Sequence, residues 1–215
     1  MLKLETKEVM LTAEIKPDSN RINSDSLFKC FEERDQSSLM IIFLQKELIL
    51  IHNTGKLDSD DAGRDVSGSI WRRIFIRSLF AYIEGTCYRL KQDVKLFKKT
   101  SPQEDSIISE KTFVLDEKGY IKERDLYLRS QENLRFAFRI YAECFGSGFK
   151  LKTDGNGWNA YKNALKIRNR ITHPKKNNDL KISDGEWACI INARTWFDDE
   201  YQRLLEFRGK AQKKE

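Results

Sequence analysis

The stretch WNAYKNALKIRNRITHP, Trp158 to Pro174, decides how the rest of the chain is read. It has the spacing of one helix. Tyr161, Leu165 and Arg168 share a mostly apolar face, whereas Asn169 and His173 are four apart on another, with Asn163, Lys166 and Arg170 close by. Proline has no amide hydrogen and disfavours helical geometry in the residue before it, so the helix stops at Pro174 with His173 at its end. Arg168 starts from the packed side and is expected to be partly buried, held by an acid or by backbone carbonyls. His173, five positions on, points about 140° away in an ideal helix. Convergence of the two requires the long reach of Arg168 and the distortion imposed at Pro174.

Working outward, Ser69 to Lys99 carries the longest helical pattern. Ile70, Ile74, Phe75, Leu79, Tyr82, Ile83, Leu90, Val94 and Phe97 make a broad apolar band without proline. Arg73, Arg77 and Glu84 fall on one side of it. They read either as a solvated charged edge or as a row from which Glu84 or Arg77 supports the Arg168 site. Thr100-Ser101-Pro102 ends this helix. Pro102 to Lys111 reads as a short helix, and Thr112 to Lys122 as a small β-hairpin turning at Asp116–Gly119. A further helix is expected over Asp125 to Phe145, closed by Gly146-Ser147-Gly148. Asp154-Gly155-Asn156-Gly157 reads as a turn cluster. Ser183-Asp184-Gly185-Glu186 is a capping box that starts the last helix, which runs to about Phe207.

The first part of the chain is less regular. Leu2 and Leu4 alternate with polar residues like a short strand. Leu27, Phe28 and Phe31 follow a cap at Ser24-Asp25, and Leu39 to His52 is long enough to favour a helix over a strand. Thr54 to Ser67 is a linker by composition. The expected organisation is an N-terminal extension and linker over 1–68, a helical bundle over 69–207 and a charged tail over 208–215. The expected fold is all-α: an up-and-down bundle of four main helices, with extra N-terminal elements and the hairpin near 112–122.

With 215 residues and 40% apolar content the chain can build one substantial core. No run reaches the roughly 18 apolar residues of a membrane span, and the N-terminus lacks the apolar core of a signal peptide, so a cytoplasmic protein is expected. Cys30, Cys87, Cys144 and Cys189 lie far apart among apolar neighbours, with no C-x-x-C pair. They read as free thiols, and with only two histidines a His-rich metal site is excluded. No metal ligand set and no cofactor is expected. A net charge of +6 mildly favours a polyanionic partner, although mixed Lys/Glu helix faces give the same sum.

Phosphate-cradling glycine loops, H-E-x-x-H and G-x-S-x-G are absent. What stands out is Arg168-Asn169-x-x-x-His173. RNRITH at a helix end, in a helical domain that also contains the long helix IRSLFAYIEGTCYRLKQ (Ile76–Gln92), resembles the HEPN superfamily (higher eukaryotes and prokaryotes nucleotide-binding). The pattern of that superfamily is an Arg, four to six residues and a His, often with a polar residue after the Arg. The resemblance covers about residues 69–207, and its nearest likeness is to bacterial groups linked to phage defence. It implies a bundle that dimerises so that two such helix ends face each other across a cleft. It also implies a metal-independent endoribonuclease acting as a toxin or defence effector, with an antitoxin or regulatory protein as a further partner. Other members only bind nucleotides or RNA.

The chemistry suits these residues. Metal-free RNA cleavage uses the 2′-OH as nucleophile, so one group takes its proton and another protonates the leaving 5′ oxygen. Histidine does either near neutral pH. Arg168 presents a fork of donors to the phosphate, and Asn169 holds the phosphate or the His tautomer. Arg170, Lys175 and Lys176 offer a basic collar for flanking RNA phosphates. Basic residues also gather at helix ends simply to complement the dipole, so an accidental motif in a helical interaction protein is the plain alternative.

Overall fold

A computed structural model describes residues 24–57 and 67–212. The strand expected near Leu2–Leu4, most of the linker and the end of the charged tail lie outside the described residues. The elements in chain order are α1 (Ser24–Leu57), α2 (Ser67–Phe97), α3 (Pro102–Ile108), β1 (Lys111–Leu115), β2 (Ile121–Asp125), α4 (Ser130–Cys144), α5 (Gly155–Thr172), a 3-10 turn (Asn177–Leu180) and α6 (Asp184–Gln212). The all-α class holds, with the hairpin as the β-structure among the described residues.

Helix α2 is the centre of the packing. Phe75, Ile76, Leu79, Phe80, Tyr82, Ile83, Leu90 and Val94 are buried, and α1, α3, α4, α5 and α6 all contact it. A helix surrounded on so many sides has to be apolar over most of its circumference. α1 runs antiparallel to it, with Glu47 accepting from Ser78 at 2.8 Å and Gln45 donating to the Tyr82 hydroxyl at 3.3 Å. Gly85 lets the two helices approach: a Cβ there would sit 3.2–3.3 Å from Met40, Ile41 and Leu44. Ile41, Leu48 and Ile51 of α1 enter the same core as the later helices. The two N-terminal helical segments read from sequence are thus parts of one 34-residue helix, which also takes in Thr54–Leu57 of the expected linker.

Several boundaries differ from expectation, among them the start of α5, which takes in Gly155–Gly157 of the expected turn cluster. The hairpin pairs Lys111↔Asp125 through Leu115↔Ile121, so Asp125 is a strand residue and not the start of α4. Its Oδ1 accepts from Lys111 Nζ at 2.8 Å, and the next amide, Leu126 N–H, donates to Glu110 O at 2.7 Å. These bonds hold the backbone extended, and the helix forms only from Ser130. The turn itself sits at Asp116–Gly119 as expected. Gly119 has φ +80° and donates to Asp116 O at 3.0 Å, a geometry that glycine adopts without a Cβ clash. At the other end of the chain α6 continues five residues beyond Phe207, to Gln212, so part of the charged tail is helical.

Helix directions also depart from strict up-and-down alternation. α5 is antiparallel to α6, with Trp158 beside Trp196 and Arg170 on Glu186. α6 runs parallel to α2, with Arg72 on Asp184 and Tyr82 against Phe197. α4 runs the same way as α2, with Lys91 bonded to Asn133 and Phe97 packed on Phe145. The segment 98–129, holding α3 and the hairpin, carries the chain back before α4 begins. Lys91, fully buried, ties this crossover to the core through Glu110 and Asn133. Cys87 is buried, whereas Cys144 and Cys189 are half-buried; all three are free thiols. No helix among the described residues is long and apolar enough to cross a membrane.

Candidate functional site

Helix α5 places the motif. It buries Trp158, Tyr161, Ala164, Ile167 and Ile171 against the core and ends at Thr172. His173 is the C-terminal cap, with its N–H on Asn169 O at 3.1 Å, and Pro174 follows. The termination read from Pro174 is observed. A second support comes from α2: Arg77 Nη2 donates to Ile171 O at 3.3 Å and takes up a last-turn carbonyl that the helix leaves free. Arg73 and Arg72 continue the row, reaching Leu180 O at 3.0 Å and Ile182 O at 3.0 Å. The charged edge of α2 is therefore a clamp on the end of α5 and the loop after it.

Arg168 is half-buried, as its position on the packed side implies. Its guanidinium lies over the Phe80 ring at 5.7 Å. Nη2 donates to Glu84 Oε1 at 3.0 Å and Nη1 to Asn169 Oδ1 at 3.2 Å. Glu84, four residues after Phe80 on the same helix, thus fixes the fork that the sequence places next to Asn169. With Oδ1 engaged, the Asn169 amide keeps its two N–H donors for another acceptor.

Arg168 and Asn169 open onto a cavity of about 480 Å³ between α5 and the first turn of α4, whose other walls include Arg129, Arg135, Leu128 and Leu165. His173 is not part of that wall. Its ring is exposed at the helix end, and within one chain it stands apart from the cavity that Arg168 faces.

No family model, curated protein or solved structure matches this chain.

The basic collar divides. Lys175 and Lys176 have exposed side chains, while their backbone amides donate to Asp179 Oδ2 at 2.8 and 3.1 Å. Those two bonds, with the Lys176 and Arg170 charges nearby, hold the Asp179 carboxyl below its usual range. The loop is thereby folded so that both lysines stay at the surface beside His173. Arg170 is different. It grips Glu186 with both Nη atoms, at 2.7 and 3.1 Å, and also donates to Lys181 O at 2.8 Å. Its fork is engaged within the fold, which removes it from the expected phosphate collar. Glu186 also closes the capping box, accepting from Ser183 N–H at 3.0 Å, and Ser183 Oγ accepts from Glu186 N–H at 3.3 Å.

Arg129 and Arg135 were not singled out by the sequence. They are six residues apart, which on an ideal helix separates them by about 120°. They share a cavity because Arg129 precedes the helix and Arg135 leans over Trp158 of α5, 4.8 Å from its ring. No local pattern carries that information. Among the described residues no group of three or more His, Cys, Asp or Glu side chains is placed to hold a metal ion.

Proposed function

We propose that this chain is an endoribonuclease that cuts RNA without a metal ion, by attack of the 2′-OH on the neighbouring phosphate. The observation that carries the reading is the Arg168 fork, oriented by Glu84 at 3.0 Å beside Asn169, on a helix end that also presents His173. In this reading His173 takes the proton of the 2′-OH or gives one to the leaving 5′ oxygen. Arg168 and the Asn169 amide stabilise the charge that grows on the phosphate oxygens. The products are a 2′,3′-cyclic phosphate and a 5′-OH, so no water is consumed in the first step. Lys175 and Lys176 steer the strand by its phosphates. Because the His173 ring stands apart from the cavity in one chain, the reading includes a second copy whose helix end completes the cleft. A toxin or phage-defence role, held in check by an antitoxin or regulatory protein, fits such an activity.

The purified protein is expected to cut single-stranded RNA in EDTA and to leave DNA of the same sequence intact, since DNA lacks the nucleophile. His173→Ala lowers the rate by about 10²–10⁴-fold, the usual contribution of positioned acid–base catalysis. Equal rates for parent and His173→Ala would remove His173 from the mechanism. A second reading, a non-catalytic module that binds RNA or a nucleotide, is favoured by one observation: His173 does not line the cavity that holds Arg168. It predicts salt-sensitive binding with RNA left whole after long incubation.

A further inference from the structure

The cavity holds more donors than the motif requires. Its wall carries three guanidinium groups, those of Arg129, Arg135 and Arg168, against one carboxylate, that of Glu132. Glu132 Oε1 lies 3.6 Å from Arg129 Nη1, and both side chains are largely exposed, so solvent weakens that pairing. Among the described residues Arg135 has no carboxylate partner. Its guanidinium lies over the Trp158 ring at 4.8 Å, and among the described residues its N–H groups meet no acceptor. Asn169 adds its free amide donors from the opposite wall. The side chain of Arg129 caps no amide of α4, so the first-turn N–H groups add to the positive field; the arginines, not the helix end, make the site.

A planar fork with no acid of its own matches a phosphate oxygen pair. A cavity of about 480 Å³ is roomy enough for a phosphate with its sugar. Its apolar lining comes from Leu128 and Leu165, and among the described residues no aromatic ring lines it to stack a base. That favours the backbone of a strand over a free nucleotide, whose base would need a platform.

We infer that this cavity seats an internucleotide phosphate of single-stranded RNA, next along the strand from the reacting one. Arg135 and Arg129 grip it, and Asn169 stands between the two phosphates. The subsite rests on the reading that the substrate is RNA. It makes the grip independent of base sequence and sets the direction of the strand across the end of α5.

The test measures binding separately from cutting. A 5′-fluorescein single-stranded RNA of about ten nucleotides is titrated by anisotropy into His173→Ala protein at several salt concentrations. Adding Arg135→Ala is expected to raise Kd about tenfold and to flatten the slope of log K against log salt by about 0.7. Arg135→Lys restores the slope but only part of the affinity, because it keeps the charge without the fork. Arg129→Ala, at a side chain that is 86% exposed, moves Kd the same way by a smaller factor. Lys118→Ala removes the same charge from the hairpin turn and leaves Kd within about twofold. Unchanged Kd in both arginine variants overturns the inference. So does an equal loss in Lys118→Ala, or tight AMP binding without RNA binding. Cleavage by the parent with binding unchanged in the variants sinks the subsite alone. Arginine-dependent binding by a parent that never cuts keeps the subsite and sinks the nuclease.

Discussion

Arg168 and Arg170 stand two positions apart on α5 and do different work. Arg168 is held on one side by Glu84 and still borders open space, while Arg170 is closed on Glu186 and the Lys181 carbonyl. The Arg170 guanidinium, with the Ser183 amide, holds the Glu186 carboxyl below the usual carboxylate range. A carboxyl whose folded pKa is lowered contributes stability above its unfolded pKa and loses it as pH falls through the folded value. Glu186→Gln is therefore expected to cost about 1 kcal/mol at pH 7. The gap from parent should shrink as the parent's own carboxyl protonates on acidification. Urea midpoints at neutral and acid pH check this, and a gap that stays constant would place the effect elsewhere. Arg168→Ala, by contrast, is expected to act on RNA cleavage far more than on the urea midpoint.

At the scale of elements, the α5–α6 pair depends on a glycine. A Cβ on Gly157 would lie 2.3–2.8 Å from the Trp196 side chain, which packs in turn against both Trp158 and Tyr161. Nothing flexible lies in the way, so a helix or the indole has to shift. Gly157→Ala is expected to destabilise by about 2–3 kcal/mol, the range of overpacking in a close-packed core. Gly209→Ala is the matched control on α6. Nothing lies within 4 Å of its Cβ, and there the change is expected to stabilise by about 0.5–1 kcal/mol through helix propensity. Thermal melts of the two variants separate close contact from propensity. A Gly157→Ala protein as stable as the parent would mean that α5 and α6 are not so tightly joined.

At the scale of the molecule, the ring of His173 and the fork of Arg168 do not face the same space within one chain. If the cleft is completed by a second copy, Arg168 of one subunit works with His173 of the other. Mixing inactive Arg168→Ala and inactive His173→Ala proteins, with time for subunit exchange, is then expected to recover about a quarter of the parental cleavage rate. Half the dimers are mixed, and each mixed dimer has one intact site of two. Recovery requires a dimer in sedimentation. A mixture that stays inactive despite exchange would place both residues in one chain's site.

Sequence alone determined what local chemistry dictates. Pro174 stops α5, Ser183 and Glu186 start α6, Asp116–Gly119 turns the hairpin, and the helical period puts Arg168 on the packed side. Each of these rests on contacts within a few residues or on one helix face. Tertiary structure decided the rest. Strand pairing kept Asp125 out of α4, and the crossover through 98–129 set α4 parallel to α2. Arg170 went to Glu186 rather than to a phosphate, and Arg129 and Arg135 met Arg168 around one cavity. These outcomes depend on which elements lie side by side. Packing fixes that through contacts between residues distant in the chain, and no periodicity within a single segment encodes it.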